Sequence, residues 1–195
     1  MKTIKELEDY AQENRIPIMQ QEGMDFLCTF IAEHDCKNIL EIGSAIGYSA
    51  IRTALANPQS KIITLERDEE RYRMAIENIH DFHLEDQIEI HLCDALEYTT
   101  EEMFDLIFID AAKAQYIKFF ERYEHNLKPG GHIISDNLEF HGYVEHPETV
   151  ISRNLRQLVK KIKKYIAYLE AKDSFETIFL KIGDGVAVSH KKSQK

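Results

Sequence analysis

From Asn38 onward the chain alternates short, continuous apolar runs with longer segments whose apolar residues recur every three or four positions. The runs are NILEI (38–42), KIITLE (61–66), IEIHL (88–92), FDLIFID (104–110) and GHIIS (131–135), and helical patterns fill the intervals at about 47–56, 68–80, 94–98 and 113–126. Runs that stay apolar, without regular polar interruption, predict strands buried on both faces of a parallel sheet. Right-handed crossovers between such strands make a doubly wound, mostly parallel α/β sheet the expected fold. A basic helix is predicted at about 148–171, and ETIFLKI and VAVSH then flank Gly183-Asp184-Gly185, the pattern of a C-terminal antiparallel hairpin. Before Asn38, Ile4, Leu7 and Tyr10-Ala11 repeat at helical spacing, Pro17 interrupts, and Met24, Leu27-Cys28 and Ile31 resume the pattern. With no repeat, linker or low-complexity tract, one domain over 1–195 is expected, comprising an N-terminal helical segment (1–36) and an α/β core (37–190).

Composition narrows the class. The 195 residues are 44% hydrophobic and 30% charged, ordinary for a globular protein of one well-buried domain. No apolar run approaches the roughly 18 residues that span a bilayer, and the opening MKTIKELEDY is too acidic for a secretory signal. Cys28, Cys36 and Cys93 form no CxxC pair, so a cytoplasmic protein without disulfides is expected. The net charge of −10 argues against indiscriminate polyanion binding. Yet Arg153, Arg156, Lys160, Lys161, Lys163 and Lys164 fall between Val150 and Leu169 without one acidic residue. That run is either a solvated helix face or a docking surface for an anionic partner.

Ligands of open α/β sheets bind beyond the carboxyl ends of the strands, and chemistry-bearing residues gather there. LEIGSAIGYSA places Gly43 and Gly47 in the first strand–helix turn, where they permit close backbone approach, although the spacing is GxxxG and not the GxGxxG of dinucleotide sites. Glu66 ends the second strand, as a ribose-binding acid does or as a helix N-terminal acid would. Asp94 follows the third, either facing a nucleobase or capping the next helix. Asp105 begins the fourth run, in a turn. Asp110 lies at that run's cleft end, and Asp136-Asn137 at the end of the fifth. If those strands are adjacent, two carboxylates and one amide oxygen converge, a set suited to Mg²⁺ or another hard divalent cation. Without a cation the two like charges would meet at a cost; the alternative is that both acids are caps. Lys113 could turn back toward a substrate, to lower a hydroxyl pKa or to act as base, or simply be an exposed helix lysine.

In this order, EIGSAIGYSAI, Glu66, CDAL, FIDAAK and SDN resemble the metal-dependent class I O-methyltransferases, the group of the catechol and caffeoyl-CoA enzymes, over about residues 13–190. The segments Ile16-Pro17-Ile18-Met19 and Glu22-Gly23, with the GDG hairpin, further resemble the bacterial tRNA 5-hydroxyuridine methyltransferases, which form 5-methoxyuridine at the wobble position. The resemblance implies S-adenosylmethionine as cofactor, with Met19, Glu41, Gly43, Ser44, Gly47, Ser49, Glu66, Asp94, Ala95 and Asp110 around it. It also implies Asp110, Asp136 and Asn137 as metal ligands, Asp110 and Lys113 as catalytic residues, and Arg153, Arg156, Lys160 and Lys161 as contacts to a tRNA anticodon region. A homodimer is expected. The segment 138–157 carries only part of the Arg-rich pattern of the tRNA branch, Arg153 and Arg156, together with Glu139, Glu145 and Glu148. A small-molecule catechol or phenol O-methyltransferase is the alternative; an NAD-dependent dehydrogenase and a non-catalytic nucleotide-binding module are more remote ones.

Overall fold

The computed structural model describes residues 2–192. Seven strands form one sheet: β1 (Asn38–Ile42), β2 (Lys61–Glu66), β3 (Ile88–Leu92), β4 (Phe104–Ile109), β5 (Leu127–Ser135), β6 (Phe175–Leu180) and β7 (Val186–Lys191). They lie in the order β3-β2-β1-β4-β5-β7-β6. The first five are parallel, and β7 runs antiparallel between β5 and β6. The doubly wound sheet and its closing hairpin therefore stand as the apolar runs predict.

Alternation along the strands divides the core. Ile39, Ile62, Leu106, Phe108 and Ile134 face one layer, built on α1 (Ile4–Glu13), α2 (Gln21–Glu33), α3 (Tyr48–Ala56) and α4 (Glu69–Asp81). Leu40, Ile42, Ile63, Ile107, Ile109 and Ile133 face the other, built on α5 (Tyr116–Tyr123) and α6 (Arg153–Glu170). The N-terminal helices thus share a core with the sheet. Thr3 and Glu6 form a capping box at the start of α1, which satisfies end amides that would otherwise lack partners. Among the described residues no helix is long and apolar enough to cross a membrane.

Several expected boundaries move. Residues 94–98 form a turn, not a helix: Asp94 accepts the Glu97 and Tyr98 amides on its carbonyl and the Leu96 amide on its side chain. Five residues cannot offset the cost of helix nucleation when a side chain offers the backbone a competing acceptor. The 113–126 pattern splits into a 3-10 turn (Lys113–Gln115), α5, and a second 3-10 turn (Glu124–Asn126). The basic helix begins at Arg153, after a 3-10 turn at Pro147–Thr149. Asp105 does more than begin a turn. Its Oδ2 accepts the Lys37 and Asn38 amides at 3.0 and 2.8 Å, and its Oδ1 accepts Lys128 Nζ at 2.7 Å. Burial pushes its pKa up, but Lys128 and the two amides more than offset this and hold it below the usual carboxylate value. The side chain ties the entry of β1 to β4 and β5 and so fixes the register that carries three strand tips to one place.

Asp105→Ala is expected to lower unfolding stability by about 2 kcal/mol, because charge-assisted hydrogen bonds are lost and two amides are stranded. Urea denaturation checks this, with an unchanged m-value expected.

Candidate active site

The loop after β1 is shaped by one close approach. Gly43 has φ +101°, and a Cβ there would collide with the Asp110 carbonyl oxygen at the tip of β4. The Gly43 and Ser44 amides both donate to the Leu65 carbonyl, at 3.0 and 3.2 Å, which draws the loop over β2. Gly47, at φ +82°, starts α3. Glu66 locks this arrangement: its Oε2 accepts the Ala45 amide at 2.8 Å, and its Oε1 accepts the Arg67 and Asp68 amides at 2.8 and 2.9 Å. Three of its roughly four lone-pair positions are taken, so the carboxylate is held in one orientation, and Oε2 keeps one with which to accept a hydroxyl group.

Beyond these strand ends lies a cavity of about 340 Å³, within the usual size of a small-molecule site. Its wall contains Met19, Gly43, Ser44, Ser49, Glu66, Asp94, Ala95, Asp110, Lys113 and Asn137. Met19 reaches it from the linker between α1 and α2 and packs so closely on Gly23 that a Cβ there would stand 2.9 Å from the Met19 methyl. The Ser44 hydroxyl is buried without a hydrogen-bond partner, a polar atom at the wall with a bond to give. Such atoms are uncommon in native interiors and mark places where a ligand or water belongs.

Glu41, Gly47 and Asp136 are not on this wall. Glu41 lies behind it, where the Ser49 and Thr64 hydroxyls donate to its carboxylate. Burial pushes its pKa up to about 7 against those two hydrogen bonds, with Asp110 and Glu66 adding to the rise. Its geometry is that of a support for Ser49. Other wall residues were not read from the sequence as site residues, among them Tyr48, Arg71 and Phe119. Tyr48 adjoins Gly47 and was open to inference from the loop motif, whereas Arg71 and Phe119 arrive only through the packing of α4 and α5. Tyr48 also donates its hydroxyl to Glu8 at 2.7 Å and accepts Arg52 Nη1 at 2.9 Å, so α1 is tied to the cavity wall.

At the cavity's edge the adjacent parallel strands β4 and β5 deliver the remaining groups. The Asp110 amide donates to Ile42 at 3.0 Å and the Asp136 amide to Ile109 at 3.2 Å, which extends the sheet ladder past the strand ends. Asn137, at φ +66°, turns its amide back across both acids: Nδ2 lies 3.2 Å from Asp110 Oδ1 and 2.8 Å from Asp136 Oδ2. The Tyr116 hydroxyl fixes the turn by donating to the Asp136 carbonyl at 3.1 Å. Burial raises both carboxyl pKa values. Asp110 adds to the rise at Asp136, which reaches about 7, while Lys113 and Asn137 oppose it at Asp110. Lys113 Nζ stands 5.5 Å from the Phe140 ring centre, within cation–π range.

The four cations Arg153, Arg156, Lys160 and Lys161 lie apart from this cluster, exposed on α6. The helix buries Val159, Ile162, Tyr165 and Leu169 on its opposite face and packs against the Lys113–Gln115 turn.

A family model described as O-methyltransferase matches residues 1–192. Caffeoyl-CoA O-methyltransferase 2 of Populus trichocarpa is 31% identical, over 96% of this chain and 80% of its own. A Staphylococcus aureus crystal structure, provisionally described as a caffeoyl-CoA O-methyltransferase, is 40% identical and superposes with a TM-score of 0.93 over 98% of this chain and 93% of that one. The O-methyltransferase of Bacillus cereus, solved in complex with S-adenosylhomocysteine, is 28% identical, with a TM-score of 0.83 over 98% and 92% of the two chains. The chain belongs to the class I S-adenosylmethionine-dependent O-methyltransferases, within the caffeoyl-CoA O-methyltransferase-like family.

Proposed function

We propose that this enzyme carries out divalent-cation-assisted methylation of 5-hydroxyuridine at the wobble position of tRNA, giving 5-methoxyuridine. The observation that carries the cation-assisted chemistry is the convergence of Asp110, Asp136 and Asn137 at one cavity edge. Burial raises both carboxyl pKa values, and Asp110 adds to the rise at Asp136, so a bound cation would favour the ionised pair. With the Asn137 amide turned over, its oxygen joins theirs, and an all-oxygen set of that kind suits Mg²⁺. When bound, the cation supplies Lewis-acid stabilisation to the acceptor oxygen as it loses its proton. A 5-hydroxyl beside a ring carbonyl, or a catechol, offers two oxygens to such a site, which an ordinary alcohol does not.

The donor's methyl group is already activated as part of a sulfonium, so the protein's work is placement. Glu66 Oε2 is oriented to accept a ribose hydroxyl, the Gly43–Gly47 loop and Ser49 border the methionine portion, Asp94-Ala95 borders the adenine, and Met19 touches the cofactor from the N-terminal segment. Fixing donor and acceptor in line converts a bimolecular step into one with an effective molarity of about 10⁵ M or more. Lys113, at the acceptor side of the wall, favours the ionised form of the acceptor hydroxyl through its charge.

A tRNA acceptor is supported by the exposed cationic face of α6, which packs beside the Lys113 turn in a protein of net charge −10. Phosphate contacts of this sort position a substrate without reading its sequence. A second reading, methylation of a small catechol or phenol, is favoured by the caffeoyl-CoA relatives, and it needs the same cation and donor but not α6.

Asp136→Ala is expected to lower methyl transfer about 100-fold or more while the far-ultraviolet circular dichroism stays native, and EDTA is expected to silence the wild type. Wild-type activity undiminished in excess EDTA would remove the cation from the reaction. For the acceptor, the measurement is nucleoside mass spectrometry after incubation with undermethylated tRNA, beside an assay with a catechol. The triple reversal Arg153→Glu, Lys160→Glu, Lys161→Glu is expected to abolish tRNA methylation and to leave S-adenosylhomocysteine affinity intact. Unchanged tRNA activity and salt dependence in that variant would favour the small-molecule reading.

A further inference from the structure

The place of Asn137 is set from the far end of the chain. Ser135 and Ala187 are the last partners in the antiparallel pairing of β5 with β7. Continued in step, that pairing would set Asn137 opposite Gly185. Instead the Leu138 amide donates to the Gly185 carbonyl at 2.9 Å, one residue out of register. The chain after β5 therefore carries one extra residue, as in a β-bulge, a device that re-aims side chains beside active sites. Asn137 takes up the excess at φ +66°, a conformation that asparagine tolerates better than most residues with a Cβ. This bend swings its amide back to 3.2 Å from Asp110 Oδ1 and 2.8 Å from Asp136 Oδ2.

The bend does not stand by itself. Past it the backbone stays in the left-handed region at Phe140 and His141, with φ of +46° and +57°, and such conformations persist only where the surroundings enforce them. The turn between β6 and β7, Gly183-Asp184-Gly185, does so. The Glu139 amide donates to the Asp184 carbonyl at 2.8 Å, and the His141 amide to Asp184 Oδ1. Gly185, at φ +86°, lies so close that a Cβ there would stand 2.6 Å from the Glu139 nitrogen. From the other side the turn is seated on the start of α2. A Cβ at Gly183 would stand 3.3 Å from the Gly23 nitrogen, and Gly23 in turn packs on Met19 of the cavity wall. The turn is wedged between two backbones, and none of its three residues lines the cavity.

We propose that the Gly183–Gly185 turn is a positioning element for the cation site, fixing Asn137 as the third ligand; this rests on the cation-assisted reading above. Asp110 and Asp136 need no such help, because their own amides continue the ladder past the strand ends, to Ile42 and Ile109. Asn137 is one residue further on, beyond the last regular pairing, so its place depends on what holds residues 138, 139 and 141. Loosening the turn leaves both acids where they are and lets the amide drift. The cation is then held less well, while the donor pocket, built on the ends of β1 and β2, is undisturbed. Groups standing behind metal ligands commonly account for roughly 10- to 100-fold in affinity.

Mn²⁺ affinity tests this, read by electron paramagnetic resonance with S-adenosylhomocysteine present, beside S-adenosylhomocysteine affinity by calorimetry. Gly185→Ala forces the turn off the Glu139 backbone and changes no charge. It is expected to weaken Mn²⁺ binding about 10-fold or more and to leave S-adenosylhomocysteine affinity unchanged. Gly130→Ala is the control: its φ is +76°, yet a Cβ there meets nothing within 4 Å, so it adds backbone strain without the collision, and wild-type Mn²⁺ affinity is expected. Should Gly185→Ala fail to fold, Asp184→Ala takes its place, and Asp184→Asn, which keeps an acceptor for the His141 amide, is expected to recover most of the loss. Wild-type Mn²⁺ affinity in Gly185→Ala or Asp184→Ala, an equal loss of S-adenosylhomocysteine affinity, or no recovery in Asp184→Asn would overturn the positioning role and leave the cation reading standing. A wild type that takes up no Mn²⁺ would instead overturn that reading, and the positioning role with it.

Discussion

Two acids that cannot both be comfortable hold the key to this structure. Asp110 and Asp136 end neighbouring parallel strands, Asp136 only 3% exposed, and each is stripped of part of its hydration. Like charges so placed either take up a proton or share a cation. The surroundings offer limited relief: Lys113 and the Asn137 amide favour the ionised forms without removing the upward shift. A site of this kind stores an electrostatic demand, and a divalent ion bridging toward a substrate oxygen meets it.

The rest of the molecule is arranged so that this demand arises beside a methyl donor. The register of β1, β4 and β5 brings three strand ends level, and Asp105 secures that register from the opposite end of the strands. Gly43 lets the first loop press against the Asp110 backbone, so cofactor loop and acid share one wall. Glu66, held by three amides, ties that loop to the second strand. On the other side the β6–β7 turn holds the segment that follows Asn137, which ties the C-terminal hairpin to the loop beside the site.

Much of this was legible in the chain because burial on both faces writes itself as unbroken apolar runs, and residues just past such runs must sit at the strand tips. Asp110, Asp136 and Asn137 were assigned to the strand tips that way, as were Glu66 and the Gly43 loop, and the structure places them there. The reading failed where local chemistry outweighed periodicity: Asp94 captures three amides and keeps 94–98 from becoming a helix. It also fell short where function depends on distant partners. The acid at 105 looked like a turn residue because its partners at 37, 38 and 128 are remote in sequence, and Glu41 looked like a cofactor contact though it supports Ser49 from behind.

The central claim, that these strand tips form a divalent-cation site beside the bound donor product, is tested most directly by titrating Mn²⁺ into the protein with S-adenosylhomocysteine present, following free Mn²⁺ by electron paramagnetic resonance. The account predicts one ion taken up per chain, displaced by excess Mg²⁺, and no uptake when Asn137 is replaced by Ala. A free-ion signal that grows in proportion to added Mn²⁺ from the first addition, with wild-type protein in excess, would contradict it.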